Sequence, residues 1–253
     1  MTAYVGLTNL LKTATITVTS TAVGYDKENL KSYKTSSWWQ ANAAGTVYVT
    51  LDLGSAMAAD CWGIVGHNLT DNSGTIKPQH STDNFAANTA DFDTIQTPTE
   101  NEVIFRKVSS ATKRYWRFEI ASTAVASFIA NLFIGVAQSL EREMGANFSP
   151  ANLNRVRKIF NNKTATGQYT GRILRAEGAK VLIDQRLVTK AWIDANWTAM
   201  ANHVELYPFY FIWNQETYPT QAGYLMANRI RYPKYRKPLH LDFSIDCGAM
   251  YDV

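Results

Sequence analysis

Two cysteines and four histidines among 253 residues leave little material for several kinds of protein. Cys61 and Cys247 are far apart and both sit in strand-like runs, so no disulfide framework is expected. They read as buried, reduced thiols, in keeping with assembly in a reducing cytosol. His67, His80, His203 and His240 show neither HxxxH nor HExxH spacing, and no cysteine pair accompanies them, so a zinc signature is missing. Phosphate-binding glycine loops, GxGxxG and the GxSxG nucleophile turn are missing too. The chain has no run near the ~20 apolar residues that cross a bilayer, so no membrane span is expected. The stretch Met1 to Ser20 lacks the basic start and apolar run of a secretory signal. A soluble protein is expected, exported only if something other than a signal peptide carries it. Charged residues are only 18% of the chain against 46% hydrophobic, which excludes a disordered polyelectrolyte.

What is plentiful is aromatic: 7 Trp, 13 Tyr and 11 Phe, in a background heavy in Thr and Val. That mixture suits pleated, half-buried surfaces. Val47, Val49, Leu51 and Leu53 alternate with Thr46, Tyr48, Thr50 and Asp52, and Trp116, Phe118 and Ile120 alternate with Tyr115, Arg117 and Glu119. Period-two patterns of this kind put one strand face in a core and the other in solvent. Turn-rich stretches such as Asp71-Asn72-Ser73-Gly74 and Ser81-Thr82-Asp83-Asn84 separate the strands. The expected fold is mainly β: an N-terminal antiparallel sandwich followed by a second β-domain carrying one packed helix.

Charge supports a division. Residues 1–137 hold 10 Lys plus Arg against 11 Asp plus Glu, whereas residues 138–253 hold 15 against 10. The expected plan is a sandwich over 1–137, a linker over 138–150 and a second domain over 151–253. In the last, Thr189 is a natural N-cap for a helix running to about His203, with Trp192, Ile193, Trp197, Met200 and Ala201 as its apolar stripe. Phe209 to Trp213, Tyr224 to Ile230 and Leu239 to Ile245 read as strands.

Three features bear on chemistry. Asp91 and Asp93 would share a strand face, but in an Asn-, Thr- and Asp-rich stretch they read as a solvated loop rather than a catalytic pair. Trp38 and Trp39 could stack on a sugar ring, or close the sandwich, with at least one of them expected in the core. The run Arg229-Ile-Arg-Tyr-Pro-Lys-Tyr-Arg-Lys237 interleaves five cations with two tyrosines. It reads as a hairpin loop with solvated cations, or cations facing an acidic partner, rather than a nucleic-acid surface, given a net charge of only +4. No catalytic residue is expected. A glycan-processing reading would need a carboxylate pair in the second half, and Asp184, Asp194, Glu205 and Glu216 show no spacing that marks one.

With these residues set out, the first half resembles the galactose-binding-like, or discoidin-type, β-sandwich family. The carriers are Asn9-Leu10, Ser36-Ser37-Trp38-Trp39, Val47 to Gly54 ending in Asp-Leu-Gly, Cys61 to Leu69 with its Gly-His-Asn-Leu, Gln79 to Asp83, Arg114-Tyr-Trp-Arg-Phe118 and Ile129 to Gly135. The resemblance implies ligand loops at one end of the sandwich, with Trp38, Trp39, Asp71, Asn72 and Asp83 as the candidate binding residues. It allows a calcium ion bracing a loop, and no other cofactor. The second half more loosely resembles the C-terminal β-domain of phage distal-tail and minor-tail proteins, through Trp192, Trp197, Tyr207 to Trp213 and Leu239 to Ile245. The two resemblances together imply a non-enzymatic bacteriophage tail component, located in the virion and assembled in the host cytoplasm. Its implied partners are tail-tube, hub or baseplate proteins, further copies of itself as a trimer or hexamer, and a host-surface glycan. The alternative is a stand-alone carbohydrate-binding or adhesion module of a bacterial surface protein.

Overall fold

The computed structural model describes residues 2–99, 103–145 and 148–249. In chain order the strands are β1 (Tyr4–Gly6), β2 (Thr15–Val18), β3 (Trp39–Gln40), β4 (Gly45–His67), β5 (Thr75–Ser81), β6 (Ala90–Asp91), β7 (Ile104–Ser122), β8 (Phe128–Gly135) and β9 (Ala137–Ser139). There follow β10 (Arg155–Lys163), β11 (Tyr169–Thr189), the helix α1 (Lys190–Val204), β12 (Phe209–Ile212), β13 (Ala222–Lys237) and β14 (His240–Ala249). The fold is mainly β, with two antiparallel sheets and, among the described residues, one α-helix.

The first sheet runs β3-β8-β4-β7-β5-β6, with β2 paired to β4. β4 and β7 pair from Gly45↔Ser122 to Ile64↔Ile104, with a register shift between Asp52 and Met57. Gly54, at φ +75°, sits in that shift, a conformation that side-chain-bearing residues adopt at a cost. Both strands bend there together. Their near halves pair with β2 and β5 and the far half of β4 pairs with β8. Leu51 and Phe118 from one half and Trp62 and Ile134 from the other are buried in a single core, so the bent sheet closes on itself as a sandwich.

The two halves of β4 are buried differently. In the near half Val47, Val49 and Leu51 are buried while Tyr48, Thr50 and Asp52 are half-exposed, as the alternation predicts. In the far half every residue from Cys61 to His67 is buried. Trp62 and Ile64 face the sandwich core, and Cys61 and Val65 face a second cluster formed with Phe105, Phe133, Tyr210, Ile212 and Tyr224. A strand covered on both faces reads as a continuous apolar run.

The covering layer is the second sheet, of order β10-β11-β14-β13-β12-β1-β9. β1, from the start of the chain, pairs with β12 and β9, so residues 4–6 belong to this sheet and not to the sandwich that follows them. Of the stretch read as a linker, Ser139 is in β9 and Leu140 is buried, and Glu141 accepts hydrogen bonds from Thr189 N and Oγ1. Ala146 and Asn147 lie outside the described residues. Thr189 caps α1 by accepting from Trp192 N, and Ile193, Trp197, Met200 and Ala201 are buried against the sheet. Trp192 stacks on Phe243 at 5.9 Å, with Trp197 4.8 Å from the same ring. The run 229–237 departs from expectation. It is not a loop but the end of β13, which continues to Lys237 through two register shifts against β14, with Pro233 inside the first. Bulges accommodate a proline that a regular ladder would reject.

Tyr210 is the hinge-pin of the two layers. Its ring lies 5.6 Å from Phe105, 5.2 Å from Phe133 and 4.9 Å from Tyr224, and its hydroxyl donates to Asn131 Oδ1 at 2.7 Å. A Cβ at Gly63 would meet this ring at 3.0 Å and the Ile104 carbonyl at 2.7 Å, so the position tolerates only glycine. Gln215 adds a polar clasp, accepting from Lys107 N and donating to Lys107 O as a neighbouring strand would. Both cysteines are free and buried, as expected. Burial pushes the Cys247 thiol up to about 12 and raises that of Cys61 as well. Tyr210→Phe should lower the unfolding free energy by ~1–3 kcal/mol, because the buried Asn131 oxygen loses its donor. Urea unfolding of both proteins measures this, and superimposable curves would remove the bond from the account.

Candidate ligand-binding site

The loops at one end of the sandwich are tied to each other. Ala22 N donates to Gln40 O, Asn42 N to Ser20 Oγ, and Ala41 N to Ser127 O, all at 2.8–2.9 Å. Asn68, from the Gly-His-Asn-Leu stretch, accepts from Phe128 N at 2.9 Å and donates to Ala126 O at 3.0 Å. Its amide grips a loop about 60 positions away, and this fixes where the Phe128 ring lies.

Trp39 is fully buried, its indole N–H shared between Ser20 O and Thr21 Oγ1 at 3.2 Å, so it is a core residue and presents no ring to a ligand. Its neighbour Trp38 is half-exposed. Tyr25 stacks on it at 5.6 Å and 26°, and Phe128 lies 5.5 Å away on a 40° tilt. All three rings are half-buried, and they form a row along the loop end. Tyr25 and Phe128 were not among the expected site residues. Tyr25 follows Gly24, at φ +88°, in a turn, and Phe128 opens a strand, and neither position signals that the rings converge. The Ser127 hydroxyl beside them is buried without a hydrogen-bond partner among the described residues.

Asp71 is exposed in a short 3-10 turn, Thr70–Asn72, that follows Asn68 at this same end. Asn72 belongs to the turn, and its side chain lies outside the described residues. Asp83 is elsewhere. β5 runs from Thr75, opposite Ala121, to Ser81, opposite Tyr115, so Asp71 before it and Asp83 after it sit at opposite ends of the sandwich. Asp83 accepts from Ser81 Oγ, Ala87 N and Asn88 N, bonds that hold its carboxyl below the usual range and brace the 81–88 loop. That loop lays Phe85 4.1 Å over the Arg117 guanidinium, whose other side meets Tyr48 at 4.5 Å while it donates to Gln79 Oε1. The five expected residues therefore do not form one site. Trp38 and Asp71 share an end, Trp39 lies beneath it, and Asp83 is remote.

Of the two carboxylates read as solvated, Asp91 is exposed as expected and Asp93 is not. Asp93 is nearly buried, accepting from Trp62 Nε1 at 2.9 Å and pairing with Arg106 at 2.5 Å. Asp91 pairs with Lys77 at 2.9 Å and accepts from Gln79. The rings and cations that claim them come from strands remote in sequence. As for calcium, its six to eight oxygen ligands normally include several carboxylates. Among the described residues no three His, Cys, Asp or Glu side chains come together, so the donor set does not fit a carboxylate cage.

The Asp-Leu-Gly and Arg-Tyr-Trp-Arg stretches meet. Asp52 accepts from Arg114 Nε and Nη2, at 2.7 and 2.8 Å, and from Gly54 N at 2.8 Å, and these bonds lower its carboxyl to about 2.

Mutual pinning of loops around a short aromatic row places a candidate site on the loops of a two-layer antiparallel sandwich. Solved structures similar to about half of this chain include chitosan-binding module 1 of a Paenibacillus sp. IK-5 chitosanase/glucanase, at 16% identity and TM-score 0.43 over 50% of this chain and 98% of that one. A Clostridium perfringens module in complex with GalNAc-beta-1,3-galactose matches at 14% identity and TM-score 0.43, over 51% and 99%. A Ruminococcus gnavus GH29 fucosidase matches at 15% and 0.45, over 52% of this chain and 27% of that one. No family model matches the chain, and no curated protein matches it.

The Asp52 ion pair makes stability pH-dependent. The folded-state carboxyl titrates below the unfolded value of 3.8, so its contribution is complete above pH ~4 and is lost as pH falls toward 2. The melting-temperature advantage of the native chain over Asp52→Asn should shrink across that window. An advantage that stays constant from pH 6 to 2 contradicts it.

Proposed function

We propose that the chain is a non-catalytic binding protein that takes a saccharide on the Tyr25, Trp38 and Phe128 rings. The row of half-buried rings carries this reading. A sugar's C–H face suits an aromatic platform. The loops bearing the rings are cross-linked by Asn68, Ser20 and the Ala41–Ser127 bond, so little ordering entropy is lost when a ligand docks. Around the rings Gln40, Asn42 and Asp71 offer the hydrogen-bonding groups that would orient hydroxyls.

A second reading, a component of a bacteriophage tail held in the virion, is favoured by a different feature. Among the described residues β14 pairs with β11 only from Ala179 to Thr189, and the rest of the β10–β11 hairpin runs as two strands with no third neighbour. Val156, Ile159, Tyr169, Ile173 and Leu174 on it are 44–62% exposed. An isolated two-stranded ribbon with apolar side chains is marginal in water and seeks a partner. On this reading the arm docks in an assembly while the sandwich faces outward.

A glycan array with the native chain should give defined hits. Trp38→Ala and Tyr25→Ala should each weaken them at least tenfold without changing the circular-dichroism spectrum. An array without hits, or variants that bind as the native chain does, removes the saccharide reading. For the assembly reading, light scattering should give a trimer or hexamer, and Ile159→Ser with Ile173→Ser and Leu174→Ser should give monomer. A native chain that stays monomeric at all concentrations speaks against it.

A further inference from the structure

The cationic run of β13 has no place in either role, and its setting is specific. Arg229, Arg231, Lys234 and Arg236, joined by Arg186 of β11, line a groove of about 960 Å³. Asp242, Phe243 and Ser244 of the intervening β14 line it as well. The groove exists because both flanking strands are bulged. β13 slips against β14 between Arg231 and Lys234, and β11 slips between Gln185 and Val188, where Leu187 takes φ +57°. Bulges re-aim side chains that a regular ladder would send to alternate faces.

Arg186 pairs with Asp184 at 2.8 Å. The side chains of the four β13 cations make no hydrogen bond or ion pair with any described residue. Arg229 and Arg231 share a strand face and repel, while in the ladder Arg229 stands opposite Asp246 and Lys234 opposite Asp242. Two exposed tyrosines stand among them. Tyr232 is fixed by its hydroxyl's bond to Glu205 and by an edge contact with Trp197, and Tyr235 is 64% exposed. Guanidinium forks match carboxylates in a two-point geometry, and ring faces suit sugars.

Asp184 and Asp242 distinguish among anionic polymers. A nucleic acid carries a phosphate at every nucleotide and would be repelled by two carboxylates in the groove. An acidic polysaccharide also carries charge on its rings, but each ring bears hydroxyls whose O–H groups can donate to those carboxylates, donors that a DNA backbone lacks. We infer that this groove is a second binding site, separate from the Tyr25–Trp38–Phe128 row, for an acidic polysaccharide bearing sugar carboxylates.

The test is a fluorescence titration of the full chain with labelled oligogalacturonate, its methyl-esterified form and an oligothymidylate of equal length. The expected result is binding of oligogalacturonate that weakens with added salt and falls at least tenfold on esterification. Arg231→Ala with Lys234→Ala, both exposed and unpaired, should also lose at least tenfold, whereas Trp38→Ala should bind oligogalacturonate as the native chain does. Absence of oligogalacturonate binding, equal binding of the ester, full retention by the double variant or tighter binding of oligothymidylate each overturns the proposal. The ester comparison needs no variant, and the Trp38→Ala comparison separates this site from the loop-end rings.

Discussion

The far layer of the sandwich is buried on both faces, and that double burial constrains everything around it. β4 from Cys61 and β8 from Ile129 send one set of side chains into the sandwich core and the other toward Tyr210, Ile212 and Tyr224 of the second sheet. The rings of Phe105, Phe133, Tyr210 and Tyr224 meet in this seam, and close approach of the layers requires glycine at position 63. The second sheet in turn needs a strand from each side of the sandwich, β1 before it and β9 after it, so the two layers are stitched at both ends. Neither sheet reaches its observed form without the other.

Amide side chains do much of the fixing between remote segments. Asn68 holds the loop carrying Phe128, Asn131 receives Tyr210, Gln215 completes the Lys107 backbone, and Gln185 accepts from Arg142 N and donates to its carbonyl. An amide both donates and accepts, so one residue satisfies a backbone N–H and C=O that would otherwise be orphaned. Used this way, amides order the loops without burying charge. The half-exposed row of Tyr25, Trp38 and Phe128 owes its geometry to that network, while the groove along β13 owes its own to paired bulges. Surfaces of two chemistries, half-buried rings and exposed cations, thus stand on different sheets of one fold.

Much of this frame was legible in the residues. The alternation in Val47–Leu53 and Trp116–Ile120 marks half-buried strands, because the side-chain period of a strand is two. Thr189 marks the helix start, because its hydroxyl can cap a free N–H, and the stripe from Trp192 to Ala201 marks the face that needs covering. Trp39 and Trp38 illustrate the limit. The pair says that at least one ring is core, but only the register of β3 against β8 decides which. The 229–237 run looked like a loop because prolines and charges are rare in regular strands, and bulges removed that objection.

Composition and periodicity determined what each segment must bury, and so the strands, the helix and the reduced, sequestered cysteines. Those signals are local, since they depend on neighbours one to four residues away. Tertiary structure alone decided that Asp93 is held by Trp62 and Arg106, that Asp83 and Asp71 lie at opposite ends, and that Tyr25 meets Trp38 and Phe128. Each of these depends on which strands pair and in what register, and a one-residue slip would turn every side chain to the other face.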